Sequence, residues 1–366
     1  MLRLLHIADL HLDRAFGGQS YVGCDSAQRR TMLRSALHWA VDIALDRDVQ
    51  VVTIGGDLFE IEHVTSDTIA FIARELSRLP CPVIAASGNH DYSSAASPYR
   101  TMDWPSNVIL ALDPTPAGID LGEAVIWAAG YTGPEIDPEL LRSLEVPRDA
   151  RKMNLLLVHG VDLSAASPGL RWGGLGLHAD EMVDAGFDYA LLGHIHQGRA
   201  GELMSCPGSP VPLDAGEAGG NHGALLIEVD NHQVHADVVH AGIVGYETVS
   251  LDVGSVTDST QLESQLRRLM EPLELSRSLV TCRLTGRRGR ALGLDPMALA
   301  ESVQQLALGV QVVDATAPEM DLHDLADEPN VRGKAIAHLL ADGSAQALWA
   351  ANLVVDAFEA DIEVPA

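Results

Sequence analysis

Five short stretches of this chain set metal-binding side chains beside one another or beside glycine: Asp9-Leu10-His11, Gly55-Gly56-Asp57, Gly88-Asn89-His90-Asp91, His159-Gly160 and Gly193-His194-Ile195-His196. Carboxylate, amide and imidazole in this mixture suit divalent manganese, iron or zinc. Asp9 and His11 lie two residues apart, as do His194 and His196, so in extended backbone each pair points to one side and can offer two ligands to one site. The glycines permit sharp turns where ligands converge. Any one stretch is a weak signal, because Asp-x-His after a strand is more often a polar turn. All five close apolar runs, and chance is a poor account of that set. His6, His38, His63, His178 and His222 have no such neighbours and read as surface or core histidines.

The elements that must position these residues follow from the apolar pattern. Residues 2–8, 49–54, 82–87, 124–129, 153–158 and 187–192 are short apolar runs ending in Gly, Asp, Asn or His, and read as buried strands. Met32, Leu33, Ala36, Leu37, Ala40, Ile43 and Ala44 stand at helical spacing within 28–45. Ser66 reads as the N-cap of a second helix carrying Ile69, Ile72, Ala73 and Leu76. Strands alternating with helices indicate an α/β unit with a largely parallel sheet, whose ligands gather at the C-terminal strand ends. Residues 223–229 and 234–240 form a hairpin pattern around Asp230-Asn231, suggesting a second, more antiparallel sheet.

The pattern changes near residue 243. A strand at 246–251, a helix at 259–270, a strand at 279–285, a helix opening at Asp295-Pro296 and a strand at 310–313 describe a small α+β domain. The acidic stretch Pro318 to Pro329 is loop-like, and 331–360 reads as one or two amphipathic helices. The divisions are therefore 1–243, 244–318 and 319–366.

Composition limits the function classes. The 366 residues are 47% hydrophobic and only 4% aromatic, which describes a globular chain with an aliphatic core. Apolar runs such as Val49 to Ile54 are far shorter than the roughly 20 residues of a membrane span. The first motif begins so close to Met1 that no cleavable leader is expected, and a cytoplasmic location follows. Cys24, Cys81, Cys206 and Cys282 are scattered and read as free thiols. The net charge of −27 argues against general nucleic-acid affinity, since phosphate contacts need Lys or Arg at the site. Lysine is reduced to Lys152 and Lys334, but Arg14, Arg29, Arg30, Arg34, Arg171 and Arg199 lie near the motifs and could make a local positive field.

In order, the five motifs resemble the calcineurin-like metallophosphoesterase superfamily over about residues 3–240. The resemblance implies two mixed β-sheets flanked by helices, and a dinuclear site with every ligand position filled. Asp9, His11, Asp57 and His196 would hold one metal. Asp57, as the bridge, would hold the other with Asn89, His159 and His194. Two cations roughly 3.5–4 Å apart can activate water and neutralise both the attacking and the leaving oxygen of an in-line displacement. His90 would assist the phosphoryl oxygen or leaving group, and Asp91 would orient His90 or serve a structural role.

Ala8-Asp9-Leu10-His11-Leu12-Asp13, Gly56-Asp57-Leu58-Phe59-Glu60, Gly193-His194-Ile195-His196 and Cys206-Pro207-Gly208-Ser209-Pro210-Val211-Pro212-Leu213 look like the SbcD-type nuclease subunit. Glu60 stands where relatives often have Asp or His. This resemblance implies a manganese-dependent DNA phosphodiesterase, a 3′ to 5′ exonuclease with possible single-strand endonuclease activity in double-strand-break repair. It also implies a capping domain at 244–318 and an SbcC-like ATPase partner. Leu339, Leu340, Leu348, Leu353, Val354 and Phe358 could line the partner contact or pack on their own domain. The helices at 28–45 and 66–78 could form a homodimer interface or only cover the sheet. Two rivals remain: a phosphoesterase for nucleotides or other small phosphodiesters, and a non-catalytic scaffold, against which the complete ligand set argues.

Overall fold

The computed structural model describes residues 1–17, 21–137, 144–149, 151–164, 174–289, 291–319 and 321–359. Arg171 lies outside them.

The apolar runs become strands buried on both faces, and neighbouring residues feed different layers. Leu4 points between two sheets while Leu5 and Ile7 point outward to helices; Leu155 and Leu157 face the same inner layer, and Leu156 and Val158 face away. A strand covered on both sides needs apolar residues at every position, so these segments read as runs rather than alternations.

The first sheet has the spatial order Gln233–His240, Gly223–Asp230, Leu2–Ile7, Val51–Gly55, Val83–Ala86, Val108–Ala111. Its last four strands are parallel. The hairpin at 223–240 corrects an expectation, because it founds no separate sheet. Gly223–Asp230 pairs antiparallel with Leu2–Ile7 and extends the first sheet. Its turn is Asn231-His232, both at positive φ (48° and 59°), the geometry of a two-residue hairpin turn.

The second sheet runs Met204–Ser205, Tyr189–Gly193, Met153–Asp162, Ala124–Ala128, Ala117–Asp120, with Leu175–Leu177 paired to the end of the long strand. Leu4, Ile84, Ile126, Leu155, Leu191 and Ile227 fill the layer between the sheets. The helices Ser26–Asp46 and Ser66–Leu76 cover the outer face of the first sheet through Leu33, Leu37, Ile69 and Ile72. The second helix is capped by Thr65, not Ser66: the Thr65 hydroxyl accepts from Thr68 N at 3.2 Å, so Ser66 is already helical. The architecture is thus an α/β sandwich of two mixed sheets flanked by helices.

A third, parallel sheet pairs Gly245–Asp252, Ser278–Thr285 and Gly309–Asp314, alternating in sequence with helices Ser259–Met270 and Pro296–Val303. Leu266, Met270, Val280, Leu284 and Val303 form its own core. Arg29 ties this unit to the sandwich. Its buried guanidinium stacks on Phe16 at 3.8 Å and donates to Leu213 O at 2.7 Å and to the Tyr246 hydroxyl.

Beyond it, Leu322–Ala326, Val331–Asp342 and Ala345–Glu359 pack around Leu325, Ile336, Ala351 and Val355. The first of these is a short helix inside the stretch expected to be loop, capped by Asp321. Leu339, Leu340 and Val354 pack against this cluster, whereas Leu348, Leu353 and Phe358 are exposed. No described helix is long and apolar enough to cross a membrane.

Candidate active site

All five motifs meet where the parallel strands end. The segment after Leu2–Ile7 runs beside the segment after Val51–Gly55, with Asp9 N donating to Gly56 O at 3.1 Å and His11 N to Asp57 O at 2.9 Å. Asp9, His11, Asp57 and His194 all have positive φ, at 55°, 46°, 52° and 94°. Non-glycine residues rarely adopt this conformation, and its concentration here marks backbone held against local preference by the surrounding structure. The glycines allow the approach: a Cβ on Gly88 would strike the Asp57 carboxylate, and one on Gly193 would strike Gly55 O.

The donor atoms form two groups joined by Asp57. In one, Asp9 is fixed by His194 N, which donates to its two oxygens at 2.9 and 3.0 Å, and His11 Nε2 lies 3.1 Å from His196 Nε2. In the other, His159 Nε2 lies 3.0 Å from Asn89 Oδ1, 3.1 Å from His194 Nδ1 and 3.2 Å from Asp57 Oδ2. The same Asp57 oxygen is 3.7 Å from His11 Nε2, so this buried carboxylate faces both groups. His90 N donates to its other oxygen at 2.8 Å.

Tautomers decide what these groups can hold. His11 Nδ1 lies 2.9 Å from Glu60 and His196 Nδ1 2.6 Å from Glu217, so each Nδ1 carries the proton and the two Nε2 lone pairs face one another. His159 Nδ1 must donate to Gly55 O at 2.8 Å, which turns its Nε2 lone pair toward two acceptors, Asn89 Oδ1 and Asp57 Oδ2. Acceptors converging on acceptors are stable only with a proton or cation among them. The residues present therefore fit divalent cations. Asp9, His11 and His196 form one cluster of potential ligands and Asp57, His159 and His194 another.

The charge states agree. Burial alone would lower the pKa of His159, but the adjacent Asp57 carboxylate wins and pushes it up to about 9. Asp57 is held below the ordinary carboxylate range: burial opposes ionisation, and His159 and His11 override it. His194 falls to about 4, first through burial and then through repulsion from His159.

Two carboxylates play parts that motif spacing did not assign. Glu60 accepts from His11 Nδ1 through one oxygen and from His90 Nδ1 through the other at 2.8 Å, and pairs with Arg14 at 3.3 Å. Burial would raise its pKa, but the bonds from both histidines hold it well below the usual range. Glu217, in the short turn Ala215–Glu217, supports His196. Its spacing from other motifs is irregular, and the sole sequence hint was its place just after Cys206–Leu213.

Asp91 does not orient His90. It turns inward and accepts from Asp57 N, Leu58 N and Gly88 N at 3.2, 2.7 and 2.6 Å, and from the Tyr99 hydroxyl at 2.7 Å. Burial and the nearby Asp57 push its pKa up to about 6 despite these bonds. It holds the ligand loops together, and Glu60 is the group that fixes His90. Tyr131, also unforeseen, braces the second group by donating to His159 O at 3.0 Å.

His6 is a satisfied core histidine, 3.0 Å from Thr53 Oγ1 and 2.8 Å from Leu192 O. Four of the arginines near the motifs are already engaged or buried. Arg14, Arg34 and Arg199 pair with Glu60, Asp67 and Asp162, and Arg29 is buried.

A family model described as calcineurin-like phosphoesterase matches residues 2–198, just over half of the chain and all five motifs. The chain belongs to this family. The family fold and the donor clusters make it a metal-dependent phosphoester hydrolase. This phosphoesterase is 25% identical over 295 residues to an uncharacterized metallophosphoesterase, YhaO, of Bacillus subtilis, covering 77% of this chain and 71% of the relative. It is 26% identical over 285 residues to the DNA double-strand break repair protein Mre11 of Sulfurisphaera tokodaii, covering 74% and 69%. Among solved structures, it is similar to TT1561 of Thermus thermophilus, at a TM-score of 0.39 and 15% identity over 65% of this chain and 98% of that one.

Proposed function

We propose that this phosphoesterase is a DNA phosphodiesterase, a manganese-dependent 3′ to 5′ exonuclease acting in break repair with an SbcC-like ATPase. The observation that carries the reading is the extent of the Mre11 similarity: it covers 74% of the chain, whereas the family model ends at residue 198. The relationship therefore extends beyond the stretch that the family model matches. Asp9, His11, Asp57 and His196 would hold one metal, and Asp57, Asn89, His159 and His194 the other.

When bound, two such ions lower the pKa of water and neutralise the phosphoryl oxygens. The chain's own residues do the rest. Glu60 and Glu217 fix the ring orientations of His11 and His196, and Asp57 presents one oxygen toward both groups. His90, with 41% of its side chain exposed and Nδ1 held by Glu60, turns its free edge to solvent, where it can donate a proton to the leaving oxygen. The exposed apolar side chains Leu348, Trp349, Leu353 and Phe358 are the surface on which the ATPase partner docks.

One observation favours a second reading, a phosphoesterase for nucleotides or other small phosphodiesters. The chain carries a net charge of −27, Arg14, Arg34 and Arg199 are occupied by carboxylates and Arg29 is buried, so a short substrate needing no cationic track would suit it.

Incubating the protein and manganese with an end-labelled linear duplex, beside a cyclic dinucleotide and a generic phosphodiester, separates the two. Salt-sensitive duplex shortening lost in both Asp57→Ala and His90→Ala supports the nuclease. Turnover of the small esters with intact duplex sinks it and leaves the small-substrate reading.

A further inference from the structure

The two halves of the site differ in what stands behind their histidines. His11 and His196 are each backed at Nδ1 by a carboxylate, Glu60 at 2.9 Å and Glu217 at 2.6 Å. His159 is backed by the neutral Gly55 carbonyl at 2.8 Å. Apart from the Asp57 carboxylate, which faces both halves, the inward donors differ in the same sense: Asp9 belongs to the first half, and the neutral amide of Asn89 to the second. A carboxylate behind an imidazole fixes its tautomer and makes the opposite nitrogen a stronger donor, whereas a carbonyl fixes the tautomer without adding charge.

Glu60 is divided among three partners, His11, His90 and Arg14, and the arginine draws off part of its charge. Glu217 is committed to the site. One oxygen accepts from His196 and the other from Leu213 N at 2.6 Å. Its own carbonyl lies 2.9 Å from His222 Nε2, and the Leu213 carbonyl is clamped by buried Arg29 at 2.7 Å. The carboxylate is thus held from several sides before any ligand arrives.

We infer that Glu217 is a positioning residue whose charge, acting through His196 and supplemented by Glu60, makes the Asp9–His11–His196 half the tighter of two divalent-metal positions. The inference rests on the dinuclear reading of the site and adds an order of filling: one ion settles first beside His196, and the second, at Asn89 and His159, is the exchangeable one.

The test is a calorimetric titration of metal-free full-length protein with manganese, paralleled by electron paramagnetic resonance, for wild type, Glu217→Gln, Glu217→Ala and Asn89→Ala. Wild type should show a tight and a weak class. Asn89→Ala should lose the weak class and keep the tight one. Glu217→Gln removes the charge and keeps one accepting oxygen, which can serve His196 or Leu213 N but not both, and should weaken the tight class by about 10- to 100-fold without moving the weak one. It is read in place of Glu217→Ala if the alanine protein does not fold. Equal weakening of both classes, or an unchanged tight class in Glu217→Gln, overturns the inference while leaving two metals in place. Wild-type protein that binds no manganese overturns the dinuclear reading itself.

Discussion

Glu60 joins His11 to His90. One carboxylate oxygen accepts from the Nδ1 of His11 at 2.9 Å and the other from the Nδ1 of His90 at 2.8 Å, with the two rings edge to face at 4.9 Å. A histidine of the buried donor group and the half-exposed one beside it therefore share a single anchor.

Glu60→Gln should break that sharing. A glutamine offers one accepting oxygen and one donating amide, so it can serve one ring but not both. Activity on a phosphodiester should fall by about 10- to 100-fold, the usual cost of losing such a supporting carboxylate. Steady-state kinetics with and without excess metal check it, and wild-type kcat in the variant would contradict the shared anchor.

His90 and Asp91 are adjacent but should fail differently. His90→Ala removes a partly exposed side chain and should cost about 10²- to 10⁴-fold in kcat with an unchanged melting temperature. Asp91→Ala leaves the N–H groups of Asp57, Leu58 and Gly88 without their acceptor, at about 1–3 kcal/mol for each buried donor. Thermal unfolding should show that loss before any assay does. A melting curve for Asp91→Ala that overlays wild type would refute the structural assignment.

Metal loading should release a proton. In the metal-free protein His159 is charged up to pH about 9, above its ordinary value near 6.5. Its contribution to stability is therefore complete below about pH 6.5 and is lost as pH rises through about 9. Melts in chelator should decline across that window. A cation must displace the proton, so apparent metal affinity should rise over the same range. Titration at pH 8 in two buffers of different ionisation enthalpy reads the release directly, and identical heats would count against it.

Gly88→Ala should disable the site from the backbone. A methyl there meets the Asp57 carboxylate and crowds the His159 ring, so the ligand loop must shift. A loss of about 1–3 kcal/mol in stability, typical of overpacking, should accompany weakened metal binding. Calorimetry and thermal unfolding together test this, and wild-type affinity would mean that the loop yields freely.

Much of this was legible in the linear chain, where local rules apply. The strands from Leu2, Val51, Val83, Ala124, Met153 and Tyr189 were visible because strands covered on both faces must be apolar throughout. The helix Ser259–Met270 and the Asp295 cap of Pro296–Val303 were read from periodicity and capping chemistry that act within one turn. The same locality hid the short helix Leu322–Ala326 in an acidic stretch and left the hairpin's sheet undecided.

By itself, then, the sequence determined which residue types close each strand and that they can serve as metal ligands, since both follow from a few neighbouring positions. The tertiary structure decided which groups face one another. His11 meets Glu60 across 49 residues, His196 meets Glu217 across 21, and Asp9 is fixed by the amide of His194 across 185. Asp91 was taken from His90 by three backbone N–H groups and Tyr99. No spacing rule encodes such partners. A hydrogen bond forms between whichever groups the packed sheets bring within about 3 Å, and that distance is set by the whole fold.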